Sequence, residues 1–354
     1  MPKIIFTGGG SAGHVTLNLA LIPYFIEQGW QVDYIGSKDG MEKDLIANIP
    51  EVRYHSVLTG KLRRYFSWQN FLDMVKIPLG CLQATALVRK INPDVIFSKG
   101  GFVSFPVVVG GFLNRKKIFM HESDFTPGLA NKLSLPFVST FFTTFPETIN
   151  TVKQKQKVKC VGPVLSDRLF NGSRENGAKF SGLKADKPTI MFIGGSLGAQ
   201  SLNNAVAENL PDLLARYQVI HIAGKNGFNP ELKADGYAQY AYVDKELKDL
   251  MALSDVVISR AGSNSIFELA SLHKPMILVP LPNTASRGEQ TLNAKSFVAK
   301  GYGEIIKDED IANKDILLPV LEKVFNNHEQ YVKAMQDNPV QITTAENLSK
   351  IIAG

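Results

Sequence analysis

Cysteine is scarce in this chain: Cys81 and Cys160 are the two among 354 residues. Two thiols build neither a disulfide framework nor a four-ligand metal site, and they fit a reducing compartment. Long apolar runs are also lacking. The longest, Phe102 to Leu113, is broken by one Pro and two Gly and falls short of the roughly 18 residues that a membrane-spanning helix needs. The first residues enter a strand directly, so no signal peptide is expected. No sign of charge dominates. Thirty-nine basic against 33 acidic residues leave a net charge of +6, compatible with anionic substrates or an anionic membrane surface, and nucleic acid is not expected as a partner. What remains is a composition of 44% hydrophobic and 20% charged residues, that of a globular protein, in a chain long enough for two domains of about 150–190 residues.

Two glycine-rich turns stand out, each after a short apolar run. Ile4-Ile5-Phe6-Thr7 precedes Gly8 to His14, GGGSAGH. Ile190-Met191-Phe192-Ile193 precedes Gly194 to Gln200, GGSLGAQ. A glycine turn between strand and helix lets backbone N–H groups approach an anion, and the helix start adds a favourable dipole. One turn in each half predicts two nucleotide-type domains facing a cleft, as in an enzyme that joins two phosphorylated substrates.

Apolar runs predict strands at 3–7, 31–36, 94–98, 117–121 and 140–143, then at 189–193, 218–223, 240–242, 256–259 and 276–280. Their lack of alternation suits strands buried on both faces of a parallel sheet. Their alternation with helical segments predicts an α/β fold. The basic stretch 154–159 and the Gly162-Pro163 pair predict the hinge, and helices run to the end after Ile311.

Several residues carry potential chemistry. Gly8, Gly10 and Gly13 match a dinucleotide-binding pattern with Asp33 as the ribose acid, although Asp33 falls mid-strand. His14 follows the last glycine and has the pKa range of a general base. Ser263, Asn264 and Ser265 open a helix as phosphate ligands would. Glu268 one turn on suits two ribose hydroxyls, or forms a capping box with Ser265. Glu289 and Gln290 begin a helix after the loop at Pro280 and can read sugar hydroxyls. His121-Glu122 lacks the second histidine of a zinc helix. Asp308-Glu309-Asp310 reads as a solvated helix cap, so no metal site and no cofactor are expected. Lys61, Arg63 and Arg64 lead into Trp68, Phe71, Val75 and Leu79 at helical spacing, a basic and aromatic entry typical of interfacial membrane contact.

Taken as a set, GGGSAGH at 8–14, FSKGGFVS at 97–104, HESDFTPGLANK at 121–132, GGSLGAQ at 194–200, SRAGSNSIFE at 259–268 and RGEQTLNA at 287–294 resemble one family nearly end to end. It is the undecaprenyldiphospho-muramoylpentapeptide N-acetylglucosaminyltransferases of peptidoglycan synthesis, in the form found in low-GC Gram-positive bacteria. The resemblance implies a GT-B fold: an acceptor and membrane-binding domain over 1–161, a UDP-N-acetylglucosamine domain over 162–335, and a C-terminal helix, 336–354, packing back on the first domain. It implies metal-independent, inverting transfer of N-acetylglucosamine to the 4-hydroxyl of the muramoyl sugar of lipid I, giving lipid II, at the cytoplasmic face of the cell membrane. Other cell-wall synthesis proteins are implied as partners.

On the same resemblance His14 is the catalytic base. Ser196 and the N–H groups of Asn264 and Ser265 meet the donor diphosphate, Glu268 the ribose, the Val243 backbone the uracil, and Glu289 and Gln290 the sugar. Ser11, Asp124 and Ser166 complete the donor set, Ser11 standing near the acceptor too. Lipid I is held at Gly10, Gly13, Lys99, Gly100, Gly101 and Ser104. The chain departs from the family pattern at Ser11, Asp124, Ser166 and Glu289, where Thr, Asn, Arg and Gln are usual; Arg168 lies close to the missing arginine.

Overall fold

The computed structural model describes residues 1–60, 68–195, 198–282 and 288–354, with the backbone alone for residues 12 and 68–74. The chain divides into two compact units, Met1–Val164 with Ile342–Gly354, and Leu165–Gln341.

The first unit is built on seven parallel strands: β1 (Lys3–Thr7), β2 (Gln31–Gly36), β3 (Val52–Ser56), β4 (Val95–Ser98), β5 (Lys117–Glu122), β6 (Thr140–Thr143) and β7 (Val158–Cys160), in the order β3-β2-β1-β4-β5-β6-β7. Helices α1 (Thr16–Glu27), α2 (Met41–Ile46), α3 (Trp68–Ile91), α4 (Ser104–Leu113) and α5 (Leu129–Ser134) join them. Side chains alternate across a strand, and here both sets are buried. Ile4, Phe6, Phe97, Phe119 and Phe142 pack toward Leu17 and Leu21 of α1. Ile5, Ile96, Ile118, Met120 and Phe141 pack toward Ala84 and Val88 of α3 and Val107 of α4. Each such side chain stabilises the fold by about 1.5–3 kcal/mol.

The second unit repeats the plan with β8 (Thr189–Ile193), β9 (Gln218–Ile222), β10 (Tyr237–Tyr240), β11 (Val256–Ser259), β12 (Met276–Leu278) and β13 (Gly303–Ile305), ordered β10-β9-β8-β11-β12-β13 and all parallel. Its helices are α6 (Arg174–Ser181), α7 (Gln200–Leu214), α8 (Leu247–Leu253), α9 (Ser263–Ser271), α10 (Glu289–Ala299), α11 (Lys314–Asn326) and α12 (His328–Asp337). The last helix, α13 (Ala345–Ala353), belongs to the first unit. Its Leu348 and Ile352 complete the core beside α1, and Thr343 donates its N–H to the Pro163 carbonyl at 2.9 Å.

Three strands have no counterpart in the apolar pattern: β3, β7 and β13. A fourth, β10, lies three residues before its expected place. All four are sheet edges. An edge strand needs no double apolar face, and β3 and β7 are half-exposed along most of their length. Residues 158–160, read as part of a hinge, are therefore β7. Among the described residues no helix is long and apolar enough to cross a membrane.

Candidate active site

In sheets of this order ligands sit beyond the carboxyl ends of the strands, where the strand order reverses. In the first unit that point lies between β1 and β4. The turn after β1, 8–14, and the loop after β4, 99–104, meet there. A Cβ on Gly101 would collide with the Gly9 carbonyl and stand 3.1 Å from Cδ2 of His14; a Cβ on Gly10 would press into the Phe102 ring. Gly10 and Gly101 have φ of 83° and 84°, open to glycine at little cost. Gly13 differs: nothing lies within 4 Å of a Cβ placed there. It does not serve the close helix–strand packing of a dinucleotide fingerprint. Asp33 is 1% exposed, and its oxygens accept from Gln31 and meet the His55 ring, each at 2.7 Å. It is occupied inside the sheet and offers no ribose ligand.

The turn is braced from below by residues that carried no motif. The Tyr34 hydroxyl donates to the Gly8 carbonyl at 2.7 Å. Asn18 donates to the Thr7 carbonyl at 3.2 Å and to the Tyr34 oxygen at 3.1 Å. Burial raises the Tyr34 pKa, so the hydroxyl stays a donor. The buried Glu42 accepts from the Ser37 N–H at 3.0 Å, the Ser37 hydroxyl at 2.5 Å and the Gly10 N–H at 3.4 Å. Above them Ser11 and Gly13 are exposed and His14 is half-buried. The His14 N–H closes the one-turn 3₁₀ segment onto the Ser11 carbonyl at 3.1 Å.

Lys99 is 4% exposed. Its ammonium donates to Nδ1 of His121 at 3.1 Å and to the Ser123 hydroxyl at 2.6 Å. Burial lowers its pKa, while Glu122 and Asp124 oppose that. Acceptance at Nδ1 places the imidazole proton on Nε2, and burial together with Lys99 keeps His121 neutral. Glu122 collects the N–H groups of Ser123, Asp124 and Gly128 at 3.0, 3.2 and 3.0 Å and the Asn131 amide at 3.0 Å. It organises the loop that presents Asp124. The Ser104 hydroxyl donates to the Gly101 carbonyl at 2.9 Å, holding the 99–104 loop to the start of α4. Gly100 has a φ of 93°, and its missing Cβ makes room for the Asn131 amide.

In the second unit the order reverses between β8 and β11, and a pocket of about 440 Å³ opens there. It is lined by Gly194, Gly195 and Gly198 of the second turn, by Ser259, Arg260, Gly262 and Ser265, and by Leu281 and Gln290. Gly198 has a φ of 90°, and a Cβ there would collide with the Ala223 carbonyl. The residue capping α9 is Gly262. Ser263, Asn264 and Ser265 are therefore its first three positions, whose N–H groups have no intrahelical partner and face any anion at the positive helix end. This removes the capping-box alternative, since Ser265 lies inside the helix. The Glu268 carboxyl has no partner among the described residues, and burial pushes it up to about 7.

Gln290 accepts from the Leu281 N–H at 3.1 Å, which orients its NH2 end. Glu289 is the first residue of α10, after Gly288 at φ 79°. Asn293 ties α10 to the Ala261 carbonyl at 3.1 Å. Asp308 is not the solvated cap expected. It is half-buried, paired with Arg260, and accepts from the Ser201 hydroxyl at 2.5 Å.

Comparison with known proteins shows the family of this chain. Residues 4–143 match the glycosyltransferase family 28 N-terminal domain and residues 189–351 its C-terminal domain. A UDP-N-acetylglucosamine–N-acetylmuramyl-(pentapeptide) pyrophosphoryl-undecaprenol N-acetylglucosamine transferase of Clostridium tetani is 48% identical, over 95% of this chain and 93% of its own. A Bacillus cereus transferase of the same name, numbered 2, is 49% identical over 95% of both chains. The chain belongs to this transferase family. The crystal structure of Acinetobacter baumannii MurG shares the fold over 100% of this chain and 99% of its own, with a TM-score of 0.77 at 22% identity. The two Rossmann-like units are those of a GT-B glycosyltransferase.

Val243 and Ser166 belong to neither glycine turn. Val243 follows edge strand β10 and is half-buried, outside the pocket lining. Ser166 is exposed and caps a short 3₁₀ helix by accepting the Arg168 N–H at 3.3 Å. Ser196, Lys61, Arg63, Arg64 and the side chains of Trp68 and Phe71 lie outside the described residues. Val75 and Leu79 are 55% and 47% exposed, and Leu82, one turn on, is 67% exposed. Tyr34, Asn18, Glu42, Arg260 and Ser201 were not predicted. For Arg260 a signal existed: a cation directly after a buried strand that leads into a phosphate-type helix start.

Proposed function

We propose that this chain transfers N-acetylglucosamine from UDP-N-acetylglucosamine to the 4-hydroxyl of the muramoyl-pentapeptide of undecaprenyl-diphosphate-linked lipid I, with inversion, giving lipid II. The observation that carries the proposal is the second-unit pocket, where a glycine turn and a helix start with free N–H groups converge on one volume. Relatives named for this reaction support the choice of sugar and lipid.

In this reading the second unit holds the donor. The glycine turn with Ser196, Asn264 and Ser265 receives the diphosphate, and Glu268 accepts from the ribose hydroxyls. Val243 serves the base, and Glu289 and Gln290 the sugar. The first unit holds lipid I at Gly10, Gly13, Gly100, Gly101 and Ser104, with Lys99 beneath them. Ser11, Asp124 and Ser166 complete the donor contacts.

The acceptor oxygen attacks the anomeric carbon in a single displacement and His14 removes its proton. Negative charge grows on the departing UDP. Fixed N–H dipoles aimed at that charge stabilise it without reorganising, which is the largest effect such a site offers.

The acceptor is embedded in a membrane. Val75, Leu79 and Leu82 recur at helical spacing on an exposed face of α3. Preceded by Lys61, Arg63 and Arg64 and joined by Trp68 and Phe71, they support peripheral binding to an anionic surface at the cytoplasmic face of the cell membrane.

The test is radiolabelled UDP-N-acetylglucosamine offered with lipid I, and with diacylglycerol as control. Label in a lipid-linked disaccharide is the expected result. Label in diacylglycerol, with none in lipid I, would overturn the assignment.

A further inference from the structure

Arg260 follows β11 and lines the pocket, its side chain only 15% exposed. Three groups from separate elements hold its guanidinium. One terminal nitrogen pairs with Asp308, after β13, and donates to the Val279 carbonyl, after β12, at 3.1 Å. The other donates to the Ser201 hydroxyl, in the first turn of α7, at 2.9 Å. Ser201 in turn donates to the same Asp308 oxygen at 2.5 Å. Arg260, Asp308 and Ser201 thus close a ring of hydrogen bonds, and of the three Arg260 is in the pocket lining with the second glycine turn and the α9 helix start.

A solvent-facing ion pair adds little stability, and a half-buried one is weak evidence for a stabilising role. A guanidinium fixed in one orientation is, however, suited to meet a phosphate oxygen with a directed pair of N–H donors, which a lysine cannot imitate.

We propose that Arg260 supplies the cation that receives the charge developing on the leaving diphosphate, and that Asp308, with Ser201, is the positioning residue that aims it. The proposal rests on the second-unit pocket being the donor site. In the reaction a bond forms between the acceptor oxygen and the anomeric carbon. The bond from that carbon to the diphosphate oxygen breaks, and its electron pair stays on UDP. The acceptor proton goes to the base. UDP gains one negative charge in the step, so a fixed cation at the diphosphate binds the product and the transition state more tightly than the intact donor.

Two comparisons test this on the full chain with a water-soluble lipid I analogue. Arg260→Lys keeps the charge and loses the fork; Asp308→Asn keeps the shape and loses the anchor. Both should lower kcat by about tenfold to a hundredfold while the KM for UDP-N-acetylglucosamine changes by less than about threefold. Both should weaken binding of UDP more than binding of the intact donor. Arg260→Ala should cost more, and adding Asp308→Asn to it should cost nothing further.

A purely structural brace would give a different pattern: lower thermal stability, with kcat and the ratio of UDP to donor affinity unchanged. That result, or additive losses in the double variant, would overturn the proposal. Glu268→Gln serves as the control for the underlying assignment. If it leaves UDP affinity unchanged, the donor-site reading fails; if it weakens UDP while Arg260→Lys leaves kcat intact, only the role of Arg260 fails.

Discussion

The hydroxyl of Tyr34 donates to the carbonyl of Gly8 across 2.7 Å, so a side chain in the middle of β2 fixes the first residue of the turn that follows β1. Asn18 completes the triangle from α1. Tyr34→Phe removes the hydroxyl that links Gly8 to Asn18 and leaves a buried carbonyl and a buried amide each short of one partner. The expected cost is about 1–3 kcal/mol of stability, together with slower turnover because the turn carries His14. Urea unfolding and steady-state assays would check both. Full stability in the variant would show that the carbonyl is satisfied in another way.

His14→Ala should lower turnover by about 10²–10⁴-fold, the usual effect of losing a general base, with little change in donor affinity. The comparison requires kcat and UDP-N-acetylglucosamine binding on the same preparation. More than a tenth of the parent turnover in the variant would remove His14 from that role.

Glu268 gives a pH dependence with a definite sign. Its carboxyl titrates near 4.5 in the unfolded chain and is pushed up to about 7 in the folded one by burial. Between those values the folded state keeps a proton that the unfolded state has lost. Stability therefore falls as pH rises through that window and levels off above it. Glu268→Gln carries no such penalty, so its melting temperature should exceed the parent's at about pH 8 and match it at about pH 4. UDP affinity should move the other way: weaker in the variant, and weaker in the parent as pH drops below 7. Equal UDP affinity in the two proteins at high pH would sink the ribose assignment.

Gln290→Ala should relax discrimination between UDP-N-acetylglucosamine and its C4 epimer, because a group placed to pair with one hydroxyl penalises a substrate that leaves it unpaired. The Leu281 N–H also loses its acceptor, so a lower melting temperature is expected as well. Selectivity measured as the ratio of kcat/KM values separates the two effects, and an unchanged ratio would rule out sugar reading by this residue.

Replacing Val75, Leu79 and Leu82 with Ser, and Arg63 and Arg64 with Glu, should release the protein from anionic vesicles. Each basic side chain near such a surface contributes roughly 1 kcal/mol, and reversing two costs at least that twice over. Transfer to a short, soluble lipid I analogue should persist while transfer to lipid I in vesicles falls. Co-sedimentation decides it: a folded variant that pellets like its parent would place the membrane contact elsewhere.

The strands that could be read from composition are those buried on both faces. Ile4 to Phe6 and Val256 to Ile258 are apolar throughout because both faces of those strands are buried. Edge strands such as Val52–Ser56 meet no such demand, and they were missed. At the two sites, Gly10, Gly101 and Gly198 were legible because close approach and a positive φ leave no other residue type. Their supports were not. Glu42 reaches Gly10 across 32 positions of sequence, and Asp308 reaches Ser201 across 107. Pairings of that kind exist only once the sheets have assembled, and a polar residue awaiting them looks like any surface residue.

The order of synthesis bears on how α13 is used. Leu348 and Ile352 fill the core over Leu17 and Leu21, so the unit built on Met1–Val164 lacks part of its interior until residues 345–353 have left the ribosome. The second unit, contiguous from Leu165 to Gln341, has all its parts earlier. Domains usually mature in the order in which they are made; here the first-made unit is the last to be finished. A nascent chain halted before Ala345 would carry an uncovered apolar stripe along α1, the kind of surface that chaperones and neighbouring copies seize.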